Sequence, residues 1–199
     1  MPKPALFIFA KAPIAGTVKT RLQPVYTAAQ AADIAALLIR ETTALAAANW
    51  DGPIYLATMP DTSHPVFTEL TTRHALMLRA QHGADLGARM HEAIVHGATH
   101  HGAAAVIGCD VPHCPAPVLR DAVARLMRGR DVLGPSSDGG YYLIGLNRPR
   151  VELFTDMAWG SADVCATTLA RARALGIEFE TLPVLRDIDT PEDLRAVAP

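Results

Sequence analysis

The apolar runs Ala5-Leu6-Phe7-Ile8-Phe9-Ala10 and Ala103-Ala104-Ala105-Val106-Ile107-Gly108 constrain the fold more than any other feature of this sequence. They are continuous rather than alternating, so strands built from them have to be covered on both faces. A sheet held between two helix layers provides that cover. Further strands are expected at residues 54–58, 75–79, 131–134, 141–146 and 178–185. Helical stretches are expected at 27–49, 63–73, 85–101, 115–129, 161–175 and 191–197. The first helix is rich in Ala and Leu, lacks Pro and Gly, and is closed by Asp51-Gly52-Pro53. The third repeats Leu86, Met90, Ile94 and Ala98 at spacings of four, with Asp85 at the N-cap.

Strands and helices alternate along the chain, which predicts an α/β fold of three α/β/α layers around a mostly parallel mixed sheet. The link through Gly139-Gly140 is too short for a crossover, so the strand at 141–146 is expected to run antiparallel. With 199 residues and no repeat or linker, the chain is read as a single domain, 1–199.

The formal charge of −2 gives no bulk attraction to nucleic acid or to an anionic membrane, and neither is expected as a partner. No apolar stretch is long enough for a membrane span. The three cysteines, Cys109, Cys114 and Cys165, are odd in number and form no C-x-x-C pair. The first apolar run is too short for a signal segment and ends at Lys11, so a reduced, cytoplasmic protein is expected. Cys109 and Cys114 flank Asp110; they suit small buried hydrophobes better than a reactive thiol.

In such sheets ligands bind at the carboxyl ends of the strands. The loops there are 11–24, 81–89, 110–115, 135–140 and 187–189. The first holds Lys11, Gly16, Lys19 and Arg21, a set suited to phosphates through backbone N–H groups, a point charge and a guanidinium fork. It is neither a P-loop nor G-x-G-x-x-G. Asp110, at the end of a buried strand, suits Mg²⁺ or Mn²⁺, which take one or two carboxylates and share their remaining shell with water and phosphate. Asp187 and Asp189, at i and i+2, point the same way in an extended segment and would complete a metal site. The same segment also suits a helix start, with Asp189 or Thr190 as cap and Pro191 at the first position. Asp138 beside Gly139 and Gly140 suits an acceptor hydroxyl, as anchor or base, or simply a tight turn. Gly83-Ala84-Asp85-Leu86-Gly87-Ala88-Arg89 and Trp159-Gly160-Ser161 suit either a pocket wall or a helix cap and turn. His96, His100 and His101 cluster at the far end of their helix, without the H-E-x-x-H of a zinc site.

Taken in order, these strings resemble the DUF2064 family of glycosyltransferase-like proteins. The resemblance rests on Phe9-Ala10-Lys11-Ala12-Pro13 with Gly16-Thr17-Val18-Lys19-Thr20-Arg21-Leu22, and on the segments 83–90, 108–112, 134–146, 159–161 and 187–194. It spans nearly the whole chain. The family is similar to the nucleotide-diphospho-sugar transferases of GT-A fold, whose relatives include guanylyltransferases. The resemblance implies that Lys11, Lys19 and Arg21 meet nucleotide phosphates and that Asp110 binds Mg²⁺ or Mn²⁺, with Asp187 and Asp189 as the second contact. It also implies that Gln81, Gly83, Asp85 and Arg89 border the nucleotide or acceptor pocket. The chain departs from the family pattern at Cys109, Ala84 and Ser161, none of which removes a charge.

The expected activity is a metal-dependent transfer from a nucleotide donor to a small acceptor, headed by glycosyl transfer from a nucleotide-diphosphate sugar. In it Asp110, Lys19 and Asp138 do the chemistry, and Asp138, Gly139, Gly140 and Trp159 line the acceptor pocket. Nucleotidyl transfer from a triphosphate, releasing pyrophosphate, is the alternative; three cations in one loop and a lone Asp-Val-Pro favour it. A non-catalytic nucleotide-binding role would need a broken site, and every candidate charge is present.

Overall fold

The computed structural model describes residues 2–197. Among them seven strands form one sheet, in the order β3-β2-β1-β4-β6-β5-β7. The strands are β1 (Ala5–Lys11), β2 (Ile54–Met59), β3 (Met77–Ala80), β4 (Ala104–Gly108), β5 (Asp131–Pro135), β6 (Tyr141–Leu146) and β7 (Phe179–Thr181). The helices are α1 (Ala28–Asn49), α2 (Pro65–His74), α3 (Leu86–His101), α4 (Ala116–Met127), α5 (Val164–Ala174) and α6 (Pro191–Val197).

The continuous runs behave as their pattern requires. Along β1, Leu6, Ile8 and Ala10 enter one core, packed with residues of α1, α2 and α4. Ala5 and Phe7 enter a second core on the opposite face, packed with residues of α3 and α5. The layers are therefore α/β/α. β6 is the one reversed strand, antiparallel to β4 and to β5, and every other pairing is parallel. The start of β6 consequently lies beside the carboxyl ends of its neighbours, and that orientation brings Tyr141 and Tyr142 to the ligand-binding edge.

Helix starts follow local chemistry. Thr27 caps α1 in a reciprocal box with Gln30, and the Asp85 carboxylate accepts from Ala88 N at the head of α3. Boundaries differ from expectation where a specific group intervenes. The strand expected over 178–185 stops at Thr181, because Pro183 has no N–H to offer the ladder. The chain rejoins the sheet at Leu185, which bridges to Ser136. The third strand starts at Met77, because Ala75 turns left-handed (φ 53°) to end α2. α5 starts at Val164, three residues beyond the expected start, which leaves 155–163 as a loop.

Candidate active site

The site lies at the carboxyl edge of the sheet, where β1, β4 and the reversed β6 meet. Lys11 ends β1, and its ammonium donates to the carbonyl of Thr17, 2.7 Å away, which folds the following loop back on itself. Gly16, with φ 81°, makes the tip of that turn and faces open space. Lys19 takes a left-handed backbone (φ 47°, ψ 38°) at the entry to a short 3-10 turn, Thr20–Leu22. Its side chain runs inward and is 9% exposed.

The Lys19 ammonium meets three oxygens: Asp110 Oδ1 at 2.6 Å, Asp189 Oδ1 at 2.8 Å and the carbonyl of Ile188 at 2.5 Å. These come from the middle and the far end of the sequence. The Ile188 N–H donates to the carbonyl of Asp110 at 2.8 Å, which zips the 187–189 segment onto the end of β4. Arg21 approaches Asp189 from solvent at 3.6 Å.

Burial disfavours charge on Lys19, yet the charges of Asp110 and Asp189 outweigh it and hold the ammonium above its ordinary pKa. Burial raises the Asp110 carboxyl, opposed by Lys19 and reinforced by Asp189. Protein surrounds Asp110 on most sides, but the carboxylate faces the cleft and its side chain is 46% exposed. Burial also pushes the Asp187 carboxyl up to about 7, followed by the charge of Asp138. A hydrogen bond from Ser136 Oγ, 3.2 Å away, opposes the shift.

A cavity of about 500 Å³ opens over this ion cluster. Lys11, Thr20 and Arg21 are among its polar lining. Leu38 and Ile39 of α1, Leu86 and Met90 of α3, and Tyr141 and Tyr142 of β6 form its apolar walls. Of the residues expected from sequence, Lys11, Lys19, Arg21, Asp110 and Asp189 line this cavity.

The others are not among the residues that line it. Gln81 donates its amide to the carbonyl of Ala57. Gly83 takes φ 145°, and its carbonyl accepts from Arg89 Nε. Asp85 caps α3. Asp138 Oδ1 accepts from the N–H of Gly140 at 2.9 Å, which shapes the turn, and the residue is exposed. Gly139 lies against the backbone of Ala162. Trp159 packs edge-on to Tyr141, with ring centroids 6.4 Å apart. Cys109 and Cys114 are buried, and burial pushes both thiols well up, as small hydrophobes require. At the remote end of α3, the His96 and His100 rings lie 4.4 Å apart, tilted by 34°. There His101 shares a hydrogen bond with the Tyr55 hydroxyl.

The three-carboxylate metal set expected from sequence is divided. Asp110 and Asp189 converge on Lys19, while Asp187 turns to Ser136. Among the described residues, no three His, Cys, Asp or Glu side chains gather as a metal centre. The Lys19 ammonium nevertheless marks a cation position enclosed by two carboxylates and a carbonyl. That all-oxygen set fits Mg²⁺ or Mn²⁺ completed by water and phosphate. Sequence reasoning missed the Ile188 carbonyl, which carries no side-chain signal. It also missed the apolar walls, whose residue types are those of the core. The tyrosines were findable, because the expected reversal of 141–146 places them at this edge.

No match was found among curated proteins. A crystal structure from Desulfovibrio desulfuricans G20, provisionally named a nucleotide-diphospho-sugar transferase, is 28% identical with a TM-score of 0.88; the match covers 99% of this chain and 87% of that one. Rv0371c from Mycobacterium tuberculosis H37Rv is 14% identical with a TM-score of 0.60, over 98% and 97% of the two chains, and has also been solved in complex with manganese. CMP:2-keto-3-deoxy-manno-octonic acid synthetase, solved with CTP, is 13% identical with a TM-score of 0.56, over 98% and 96%. The last two likenesses establish the fold alone. Residues 42–161 match the model of the family described as uncharacterized proteins conserved in bacteria, and the chain belongs to that family, DUF2064.

Proposed function

We propose that the protein is a metal-dependent glycosyltransferase that moves a sugar from a nucleoside diphosphate to a small hydroxyl-bearing acceptor. The observation that carries this reading is the convergence of Asp110, Asp189 and the Ile188 carbonyl on one cation position, at the floor of a cavity of about 500 Å³. The provisional name of the Desulfovibrio protein supports the donor class. A divalent cation held by Asp110 and Asp189 would supply neutralisation of the leaving diphosphate. Lys11 and Arg21, which also line the cavity, add positive charge to that group. Tyr141, Tyr142, Leu86 and Met90 wall off water from the transferring sugar. Asp138 keeps one carboxylate oxygen on Gly140 N and has the other free to orient or deprotonate an acceptor hydroxyl. We place the protein in the cytoplasm, a reducing compartment that fits its three free cysteines. No helix among the described residues is long and apolar enough to cross a membrane.

Nucleotidyl transfer is the second reading. It is favoured by Asp110-Val111-Pro112, which places one carboxylate rather than an Asp-x-Asp pair at the end of β4. A thermal-shift panel with Mn²⁺, nucleotide sugars and nucleoside triphosphates separates the two. Stabilisation by one nucleotide sugar, lost in Asp110→Ala, with release of nucleoside diphosphate, supports glycosyl transfer. A shift confined to a triphosphate, with pyrophosphate release, replaces it with nucleotidyl transfer. No metal-dependent shift with any nucleotide overturns both.

A further inference from the structure

We infer that the Lys19 ammonium and a divalent cation are alternative occupants of the oxygen cage formed by Asp110, Ile188 and Asp189, so that metal binding turns Lys19 outward into the cavity. The inference rests on the proposed reading that a cation binds at Asp110.

An ammonium has three N–H donors. All three oxygens of the cage lie within 2.8 Å of Lys19 Nζ, so no donor is left for a phosphate. The cage is oxygen-only and carries two negative charges, which is the donor chemistry of a hard divalent cation. Both cations cannot sit there together. A metal bound to these oxygens would stand within a few ångströms of the ammonium, and their repulsion in a partly dry cleft would expel the lysine.

The backbone is set for that exchange. Lys19 has φ 47°, a conformation that L side chains rarely adopt, and its peptide is otherwise tied by one turn hydrogen bond, Leu22 N to Lys19 O at 2.9 Å. With the cage contacts gone, little holds residue 19 in the left-handed region. The exit is at hand, because Lys19 already lines the cavity. A phosphate entering the metal-free protein meets Lys11 and Arg21 but not Lys19. After metal binding it meets all three. Metal and nucleotide therefore bind with positive coupling, and Lys19 is the carrier of it.

The sequence makes this measurable. The chain has only three lysines, Lys3, Lys11 and Lys19. Reductive dimethylation read by peptide mass spectrometry follows each separately in the nucleotide-free protein. Without metal, Lys19 is labelled slowest, since Lys3 and Lys11 are exposed. With saturating Mn²⁺, Lys19 labelling rises several-fold toward that of Lys11, while Lys3 is unchanged. In parallel, Lys19→Met binds Mn²⁺ more tightly than the native chain in an EPR titration, by roughly tenfold or more, the scale of one charge-assisted competitor removed.

Mn²⁺ that binds while Lys19 stays protected overturns the exchange and leaves the transferase reading standing. Exchange on Mn²⁺ without nucleotide binding supports the inference and overturns the transferase reading instead. Failure of the native chain to bind Mn²⁺ overturns the exchange, whatever Lys19→Met does. The labelling arm uses the native chain, so it decides the matter even if the variant does not fold.

Discussion

The indole of Trp159 and the backbone of Gly87 are in contact: a β-carbon on residue 87 would lie 2.7 Å from Trp159 Cζ2 and 2.5 Å from the carbonyl of Phe154. The first turn of α3 thus rests directly on the loop that leads to α5. Leu86 and Met90, on the same helix, wall the cavity. Gly87→Ala has no soft neighbour on the carbonyl side, so the helix and loop separate. Overpacking of this kind costs about 1–3 kcal/mol. A fall of several degrees in Tm is expected, together with a red shift of tryptophan emission. Trp50, the other tryptophan, is 5% exposed and bonded to the Pro4 carbonyl, so it should not contribute. An unchanged spectrum would show that the loop does not depend on this contact.

Gly139 and Gly160 form a matched pair, both left-handed, with φ 92° and 85°. An alanine at either pays the left-handed penalty of about 1–2 kcal/mol. Only at 139 would the new β-carbon also run into backbone, the carbonyl and Cα of Ala162; at 160 it meets open space. That approach is fixed by the hydrogen bond from Cys165 N to Gly139 O at 2.8 Å. Gly139→Ala should therefore be less stable than Gly160→Ala in urea unfolding, by about 2 kcal/mol or more. Equal losses would mean that the 139–140 turn moves freely of α5.

These contacts mark the limit of what the sequence discloses. The runs at β1 and β4 were legible because every residue of a doubly covered strand is apolar, a pattern that needs no knowledge of the partner. The reversal of β6 was legible because Gly139-Gly140 cannot span a crossover. The inward course of Lys19 was not. A lysine in a basic loop looks the same whether it faces solvent or a carboxylate, and its partners lie 91 and 170 residues away. β7 was overextended because its side chains kept the strand pattern past Pro183, whereas the ladder depends on an N–H that the pattern does not record.

Asp187 sets a pH dependence. Its carboxyl is pushed up to about 7 from an ordinary 3.8, by burial first and then by Asp138. Between those values the folded chain binds a proton that the unfolded chain does not. Stability from this group is therefore present below about 4 and lost as pH rises to about 7. His96, His101 and His113 are lowered by burial and act with the opposite sign below their ordinary value of 6.5. The informative quantity is thus the difference between native chain and Asp187→Asn, each in EDTA. Urea melts from pH 4 to 8 should show the variant gaining on the native chain as pH rises. A constant difference would mean that Asp187 ionises at its ordinary pKa.

Asp138 separates turn from chemistry. One carboxylate oxygen accepts from Gly140 N at 2.9 Å, and the side chain is otherwise exposed. Asp138→Asn keeps an oxygen acceptor for that N–H and removes only the charge. Asp138→Ala removes both. If the residue only shapes the turn, the asparagine variant keeps native turnover, and alanine alone loses the turn hydrogen bond, about 1 kcal/mol. If it orients or deprotonates the acceptor, both variants lose kcat, by about 100-fold or more for a lost general base, while the Kd for donor nucleotide is unchanged. We expect the second pattern. The Asp138 charge already acts on this site, since it raises the Asp187 carboxyl, and a neutral amide in its place cannot do so. The asparagine variant should accordingly lessen the pH dependence attributed to Asp187, with the part set by burial remaining, a readout independent of any substrate.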